Sequence, residues 1–316
     1  MPNKVLVTGC AGFIGSNIAQ RLVAQGREVL VLDNLSTGWE SNVPAGAKFI
    51  KGSIDNYDLL YQILEGVSVV YHLAASASVV RAVEQPVFDL DNNVKGTVTL
   101  LSAMRDRGVK KILFPSSSTV YGVNRLPNQE DLKLNPVSPY AVGKIADEYY
   151  LKSFCNMYGI QSIIFRIFNA FGPGQDFISN QGITGYIIGC LLQGEEFVVH
   201  AQGGQSRDYI YIYEVVEAFI RAESNEQAIG QVMNLAGGQS ISLNNWIELI
   251  EKAAGKKLKK TISSSIRQGD VMHYQADISR LQEILGFKPR VDYENQLKNT
   301  IYWARGVISG RGQVVK

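Results

Sequence analysis

Short runs dense in Val, Ile and Leu recur through the first half of this chain, at 4–7, 28–32, 47–50, 67–72, 110–114 and 161–168. Runs of this length and composition read as strands buried on both faces of a sheet. Between them the apolar residues fall at helical spacing. Ile14, Ile18, Leu22 and Val23 share one stripe and Gly26 follows as a stop signal; Val94, Val98, Leu101 and Met104 do the same before Gly108. Repeated strand–helix alternation predicts a parallel sheet covered by helices on both faces, and right-handed crossovers make it a doubly wound α/β fold of the Rossmann type.

The rhythm weakens after Phe171. Gly172-Pro173-Gly174 interrupts it, and a polar loop spans 202–207. The run 231–235 could rejoin the first sheet, and helical spacing returns at 243–254 and 278–285. The expected division is a dinucleotide-binding domain over 1–171, to which the chain returns around 208–236, and a smaller α/β substrate domain over 172–316. Glycines and weak apolar patterning predict a frayed tail over 306–316.

At 316 residues with 46% apolar content, the chain has ample material for a core, which excludes global disorder. Its 31 basic and 29 acidic residues leave a formal charge of +2, so neither nucleic acid nor an anionic membrane surface is the expected partner. No apolar run approaches a membrane span, and the amino terminus enters the first strand directly, without a signal peptide. Cys10, Cys155 and Cys190 form no pair or metal spacing, and His72, His200 and His273 lie far apart. A reducing, cytoplasmic setting and no metal site are expected.

Thr8-Gly9-Cys10-Ala11-Gly12-Phe13-Ile14-Gly15 follows the first strand and opens the first helix. Gly9 allows a tight turn, Gly12 lets the backbone approach a pyrophosphate, and Gly15 lets the helix pack closely, with the helix N-terminus facing the anion. Three glycines alone would suit an ordinary strand–helix turn equally well. Asp33 at the end of the second strand decides for a dinucleotide, because a carboxylate there can accept both ribose hydroxyls. It would repel a 2′-phosphate, and Asn34 follows rather than an arginine, so NAD is favoured over NADP.

Tyr140 and Lys144 lie four apart, on one helical face. An ammonium beside a phenol favours the phenolate, which can take or return a hydroxyl proton. Such pairs also arise by chance. Upstream, however, Ser116-Ser117-Ser118-Thr119-Val120-Tyr121-Gly122 follows a strand end, where ligand sites of α/β sheets gather.

With these residues in place the chain resembles the extended short-chain dehydrogenase/reductase family, in its NAD-dependent nucleotide-sugar epimerase/dehydratase branch, and most of all the UDP-hexose 4-epimerases. The likeness spans nearly the whole length. It includes the loop from Thr8 to Gly15, His72-Leu-Ala-Ala75, Asp91-Asn-Asn-Val94 with Gly96-Thr97, and the serine segment. It continues through Tyr140/Lys144, Arg166-Ile-Phe-Asn169-Ala-Phe-Gly-Pro173, Arg207-Asp208-Tyr209 and Arg267-Gln-Gly-Asp270.

The resemblance implies a role for each matching position. Ser117, with Ser118 a close second, resembles the catalytic hydroxyl; Tyr140 resembles the base, and Lys144 its partner that also holds the nicotinamide ribose. Phe13, Ile14, Asn34, Ser36, Thr37, Gly38, Ser53, Ile54, the Leu73-Ala74-Ala75 backbone and Asn92 resemble further NAD contacts. Asn169, Arg207, Arg267 and Asp270 resemble the grip on a nucleoside diphosphate, and Tyr274 a gate beside the sugar 2-substituent. Arg207 could instead pair with Asp208, and Arg267 could be a solvated charge. His72 is expected to cap or pack, and Cys10 to fill space.

Dehydratases of the family carry an acidic pair, and decarboxylating members a glutamate, where this chain has Ser117-Ser118-Thr119. What remains is 4-epimerisation of a UDP-glucose/UDP-galactose type hexose through a 4-keto intermediate. Its alternatives are a 4,6-dehydratase with relocated acid and base, a 4-keto-sugar reductase, and a non-catalytic dinucleotide sensor. Ser53, Gly143, Ile167 and Glu214 depart from the family's usual aspartate, serine, tyrosine and aspartate. A homodimer through the helices of 94–104 and 139–157 is expected.

Overall fold

The structure, a computed structural model, describes residues 3–177, 182–265 and 271–311. In chain order, the first half contains β1 (Lys4–Thr8), α1 (Phe13–Ala24), β2 (Glu28–Asp33), β3 (Lys48–Lys51), α2 (Tyr57–Ile63) and β4 (Val69–His72). Next come α3 (Val79–Glu84), α4 (Pro86–Leu90), α5 (Gly96–Arg107), β5 (Lys111–Ser117), α6 (Pro139–Tyr158) and β6 (Gln161–Ile167). The second half adds β7 (Asn169–Phe171), α7 (Ile183–Gln193), β8 (Glu196–Val199), β9 (Ser206–Tyr211), α8 (Ile212–Glu223) and β10 (Val232–Leu235). It ends with β11 (Ser240–Ser242), α9 (Leu243–Ala254), β12 (Lys259–Ile262), α10 (Ser279–Leu285) and α11 (Tyr293–Arg311).

Seven strands pair in parallel in the order β10-β6-β5-β4-β1-β2-β3. This is the doubly wound α/β sheet that the alternation predicts. The run at 231–235 contributes β10, hydrogen-bonded beside β6. Alternation of side chains along each strand sorts the core into two layers. Leu6, Leu30, Val70 and Ile112 face one way, while Val5, Val7, Val31 and Leu113 face the other. The strand order reverses between β1 and β4, so the crevice beyond their carboxyl ends is the place for a ligand.

Two expectations fail. The 47–50 run is not buried on both faces: β3 is the edge strand, with Lys48 and Lys51 exposed, and charges there discourage further pairing. Nor does the chain fray from 306, because α11 continues to Arg311. Leu297, Ile301 and Ala304 anchor its buried stripe, and residues 312–316 lie outside the described residues.

Beyond the main sheet, β9 pairs with β7 and β11, and β12 pairs with β8. The β7–β9 unit follows directly from β6 and builds a second wall above the carboxyl end of the sheet.

Candidate active site

The loop after β1 is held by what its glycines lack. Gly9 has φ +70°, and a Cβ there would stand 2.5 Å from the Ala74 amide, so the loop lies directly on the 73–75 backbone. A Cβ on Gly15 would reach the Gly9 carbonyl at 2.3 Å. Its missing side chain therefore serves the loop itself, rather than the helix–sheet contact that spacing suggests. No side chain caps α1 and its first turn has no acidic residue, so the N–H groups at its start are left for an anion. Asp33 accepts the amides of Ala11 at 2.9 Å and Leu35 at 2.8 Å, one on each oxygen, leaving further lone pairs for hydroxyl donors. These groups suit a dinucleotide.

They line a first groove that runs from Asp33 and Asn34 past Gly12 to Tyr140 and Lys144. Every residue predicted for the dinucleotide lines it except Gly38, where a Cβ would strike Ala11 at 2.6 Å; Gly38 lets the loop after β2 lie on the glycine loop. Asn92 reaches the groove from a π-helical turn, Asp91–Lys95, that carries the chain from α4 into α5.

Beneath this groove a buried hydrogen-bond chain settles His72. Thr97 Oγ1 donates to the Asn93 carbonyl at 2.8 Å, so at its 3.2 Å contact with His72 Nε2 it must accept. His72 therefore carries its proton on Nε2, and Nδ1 accepts the Thr8 hydroxyl at 2.8 Å. Thr8 Oγ1 accepts in turn from the Ala74 amide at 3.2 Å. Burial, with Lys144 nearby, pushes the imidazole down to about 3. His72 is a packed, neutral link. Cys10 is likewise buried, and burial pushes its thiol up to about 12.

Ser138 and Pro139 fix the start of α6. The serine hydroxyl caps the Ala141 amide at 3.3 Å and the proline takes the first helical position. Tyr140 and Lys144 thus stand in the opening turns, and both are buried. The Lys144 ammonium donates to the Pro115 carbonyl at 3.0 Å and lies 4.4 Å from the Phe114 ring centroid and 6.0 Å from that of Tyr140.

The charges around this pair correct a simple expectation. Burial pushes the Tyr140 phenol up, and the Asp89 and Asp147 carboxylates push the same way; the Ser117 hydroxyl is the group pulling it down. Burial lowers Lys144, while Asp147, Asp89 and Glu148 hold it up. An ammonium four residues away therefore does not by itself produce a phenolate, because buried carboxylates answer its charge. Asp147 is itself pushed up to about 6 by burial, against the pull of Lys144 and Thr97.

Ser117 is placed to donate to the phenol. Its Oγ accepts the Thr119 amide at 3.2 Å and the Thr119 hydroxyl at 3.0 Å, so its own proton is free for another oxygen. Ser118 is buried and lines only the second groove.

That second groove meets the first at Ser117, Tyr140 and Asn169, and continues past Arg207 and Tyr274. Arg207 donates to the carbonyls of Ser206 at 2.9 Å and Met272 at 3.2 Å, with its guanidinium 5.4 Å from the Tyr274 ring. Asp208 turns away into the core, accepting the amides of Gly237, Gly238 and Ala276 at 2.9, 3.1 and 3.0 Å. Arg267 and Asp270 lie outside the described residues. Asp89, Asp147 and Arg81 had no part in the sequence reading. The first two surround Lys144, and Asp147 could have been found from its spacing of three after the lysine.

Among the described residues no helix is long and apolar enough to cross a membrane, and no cluster of His, Cys, Asp and Glu suits a metal ion.

Comparison with known proteins agrees with this geometry. Residues 5–236 match the NAD dependent epimerase/dehydratase family. The chain is 36% identical over 310 residues to a UDP-glucose 4-epimerase of Mycolicibacterium smegmatis, covering 96% of this chain and 98% of that one. Among solved structures it resembles the Thermotoga maritima UDP-glucose 4-epimerase with UDP-glucose, at TM-score 0.92 and 33% identity, covering 96% of this chain and 99% of the other. It also resembles a UDP-N-acetylglucosamine 4-epimerase of Methanobrevibacter ruminantium in complex with UDP-N-acetylmuramic acid, at TM-score 0.90 and 36% identity with the same coverage.

Proposed function

The chain belongs to the NAD-dependent epimerase/dehydratase family, and on that premise we propose that it is a 4-epimerase of a nucleoside-diphosphate hexose of the UDP-glucose/UDP-galactose type. The glycine loop, Asp33 and Lys144 of the first groove would hold NAD, which would supply the hydride acceptor and donor for the sugar C4. The second holds the nucleotide sugar, its diphosphate against Arg207 and its hexose at the junction. Tyr140 takes the 4-hydroxyl proton, with Ser117 donating to the phenolic oxygen and so favouring the ionised form. Lys144 adds positive charge and a donor beside the nicotinamide ribose. Tyr140 gives the proton back once the 4-keto sugar has turned its other face.

The observation carrying this reading is the composition of the second groove. Among the described residues its wall has no aspartate or glutamate; Tyr140 stands at the junction with the cofactor groove, and His200, which also lines the wall, is tied through Nδ1 to Ser265 Oγ at 3.1 Å. Removing water across C5 and C6, or losing a carboxyl group, calls for an acid–base pair beyond the tyrosine. Proton return to the same oxygen needs none.

Tyr274 supports a preference for the unsubstituted hexose. It is buried in the groove wall, held edge-on by Phe168 at 6.4 Å between centroids and tied to Ser206 through its backbone, so it has little room to yield to an N-acetyl group. Proton NMR of UDP-galactose and UDP-N-acetylgalactosamine, incubated with the protein and no reduced cofactor, tests both points. The expected result is the 4-epimer of UDP-galactose formed faster. Unchanged sugar with NAD bound would overturn the epimerase, and equal rates would overturn the role of Tyr274.

A further inference from the structure

Three charged side chains line the first groove among the described residues: Asp33 at the end of β2, Lys144 on α6 and Arg81 on α3. Two are already engaged. Asp33 accepts backbone amides, and the Lys144 ammonium is bonded to the Pro115 carbonyl amid three carboxylates. Arg81 differs. It is half-buried, its guanidinium lies 5.9 Å from the centroid of the Phe88 ring, and among the described residues it meets no carboxylate.

A guanidinium held in a groove without a counter-ion is a site for an anion. A dinucleotide brings two phosphate charges into this groove, against which the start of α1 sets only partial charges. We propose that Arg81 is a cofactor-binding residue whose guanidinium, steadied on the Phe88 ring, pairs with the diphosphate of NAD. Its planar fork matches phosphate oxygens in a way an ammonium does not.

The local fold puts it there. Ser78 Oγ accepts the Arg81 amide at 3.2 Å, which sets the first turn of α3 and hence the direction of its side chains. Val79 and Val80 then line the second groove, whereas Arg81 lines only the first. That division assigns the guanidinium to the dinucleotide's diphosphate rather than to that of the nucleotide sugar. The inference rests on the first groove holding NAD.

Binding tests it without turnover. Wild-type, Arg81→Ala and Arg81→Lys proteins are titrated calorimetrically with NAD and, separately, with UDP, each at low and high salt. Arg81→Ala is expected to weaken NAD about tenfold and Arg81→Lys less. The wild-type NAD affinity should fall more steeply with salt than that of Arg81→Ala. UDP affinity should be the same in all three, which also reports that the variants are folded. Equal NAD affinity and salt dependence in wild type and Arg81→Ala overturn the assignment. So does a loss confined to UDP. If the wild-type protein binds no NAD, the reading of the groove fails first and the inference with it.

Discussion

Arg166 grips Glu148 through two parallel hydrogen bonds inside the protein, Nε to Oε1 at 3.0 Å and Nη2 to Oε2 at 2.8 Å. Glu148 also accepts the Ser116 hydroxyl at 2.5 Å, and Arg166 donates Nη1 to the Tyr121 hydroxyl at 3.1 Å. The pair joins α6, one turn beyond Lys144, to β6, and the Ser116 bond ties Glu148 to the end of β5 at the residue before Ser117. Stability and site geometry thus share one set of bonds.

Such a pair adds little over apolar packing, but losing one partner strands the other charge. Glu148→Ala is therefore expected to lower the unfolding free energy by about 3–5 kcal/mol. Glu148→Met combined with Arg166→Met should lose less, because no charge is left buried. Urea unfolding of the two variants decides, and a double variant as damaged as the single one would refute the account.

Tyr140→Phe should reduce kcat by about 10²–10⁴-fold, the usual worth of general acid–base catalysis, with NAD and UDP affinity retained. Ser117→Ala acts through pH. The serine hydroxyl pulls the buried phenol downward, so its removal raises the tyrosine further. If turnover needs the phenolate, the acid limb of kcat moves to higher pH in Ser117→Ala. A lower kcat with an unmoved limb would show that the serine does not tune the tyrosine.

The strands were legible because a run such as Val5-Leu6-Val7 is apolar toward both faces, and only the middle of a sheet buries both. The edge was not. Phe49-Ile50 reads like an interior strand, and only the sheet order puts Lys48 and Lys51 in solvent. The tail misled for the opposite reason: Gly306 suggests fraying, yet Leu297 and Ile301 one turn apart are enough to carry the helix on. At the site, the spacing of Tyr140 and Lys144 gave the pair but not its electrostatics. Those depend on Asp89, distant in sequence, reaching the same buried space.

His72 is expected to make the protein acid-sensitive. Its folded value of about 3 lies below the roughly 6.5 of an unfolded histidine, so the unfolded chain binds the extra proton first. Its contribution is present above pH 6.5 and is lost as pH falls from there toward 3, amounting to about 3–5 kcal/mol when complete. His72→Gln cannot take that proton. It should be less stable than wild type at pH 7, through lost bonds to Thr8 and Thr97, and the gap should narrow by pH 4.5. Unfolding curves at the two pH values check this, and a constant gap would remove His72 from the acid response.

We propose a homodimer that uses α6, one of the two helices, with that of 94–104, through which the family resemblance implies association. Val94 and Met104 are buried within the chain's own core. Several strongly exposed apolar side chains lie on α4 and α6: Val87 is 70% exposed, Val142 55%, Tyr149 66% and Met157 67%. Val142, Tyr149 and Met157 recur at spacings of seven and eight, which keeps them near one face along the whole of α6. A two-fold axis would lay this stripe against its own copy, covering each residue with its equivalent. Because α6 also carries Tyr140 and Lys144 at its start, association would hold the catalytic helix at its far end. Tyr149→Glu with Met157→Glu should convert a dimer to a monomer in sedimentation velocity, since it sets like charges against each other across the axis. A wild-type protein that sediments as a monomer would leave the stripe without this partner.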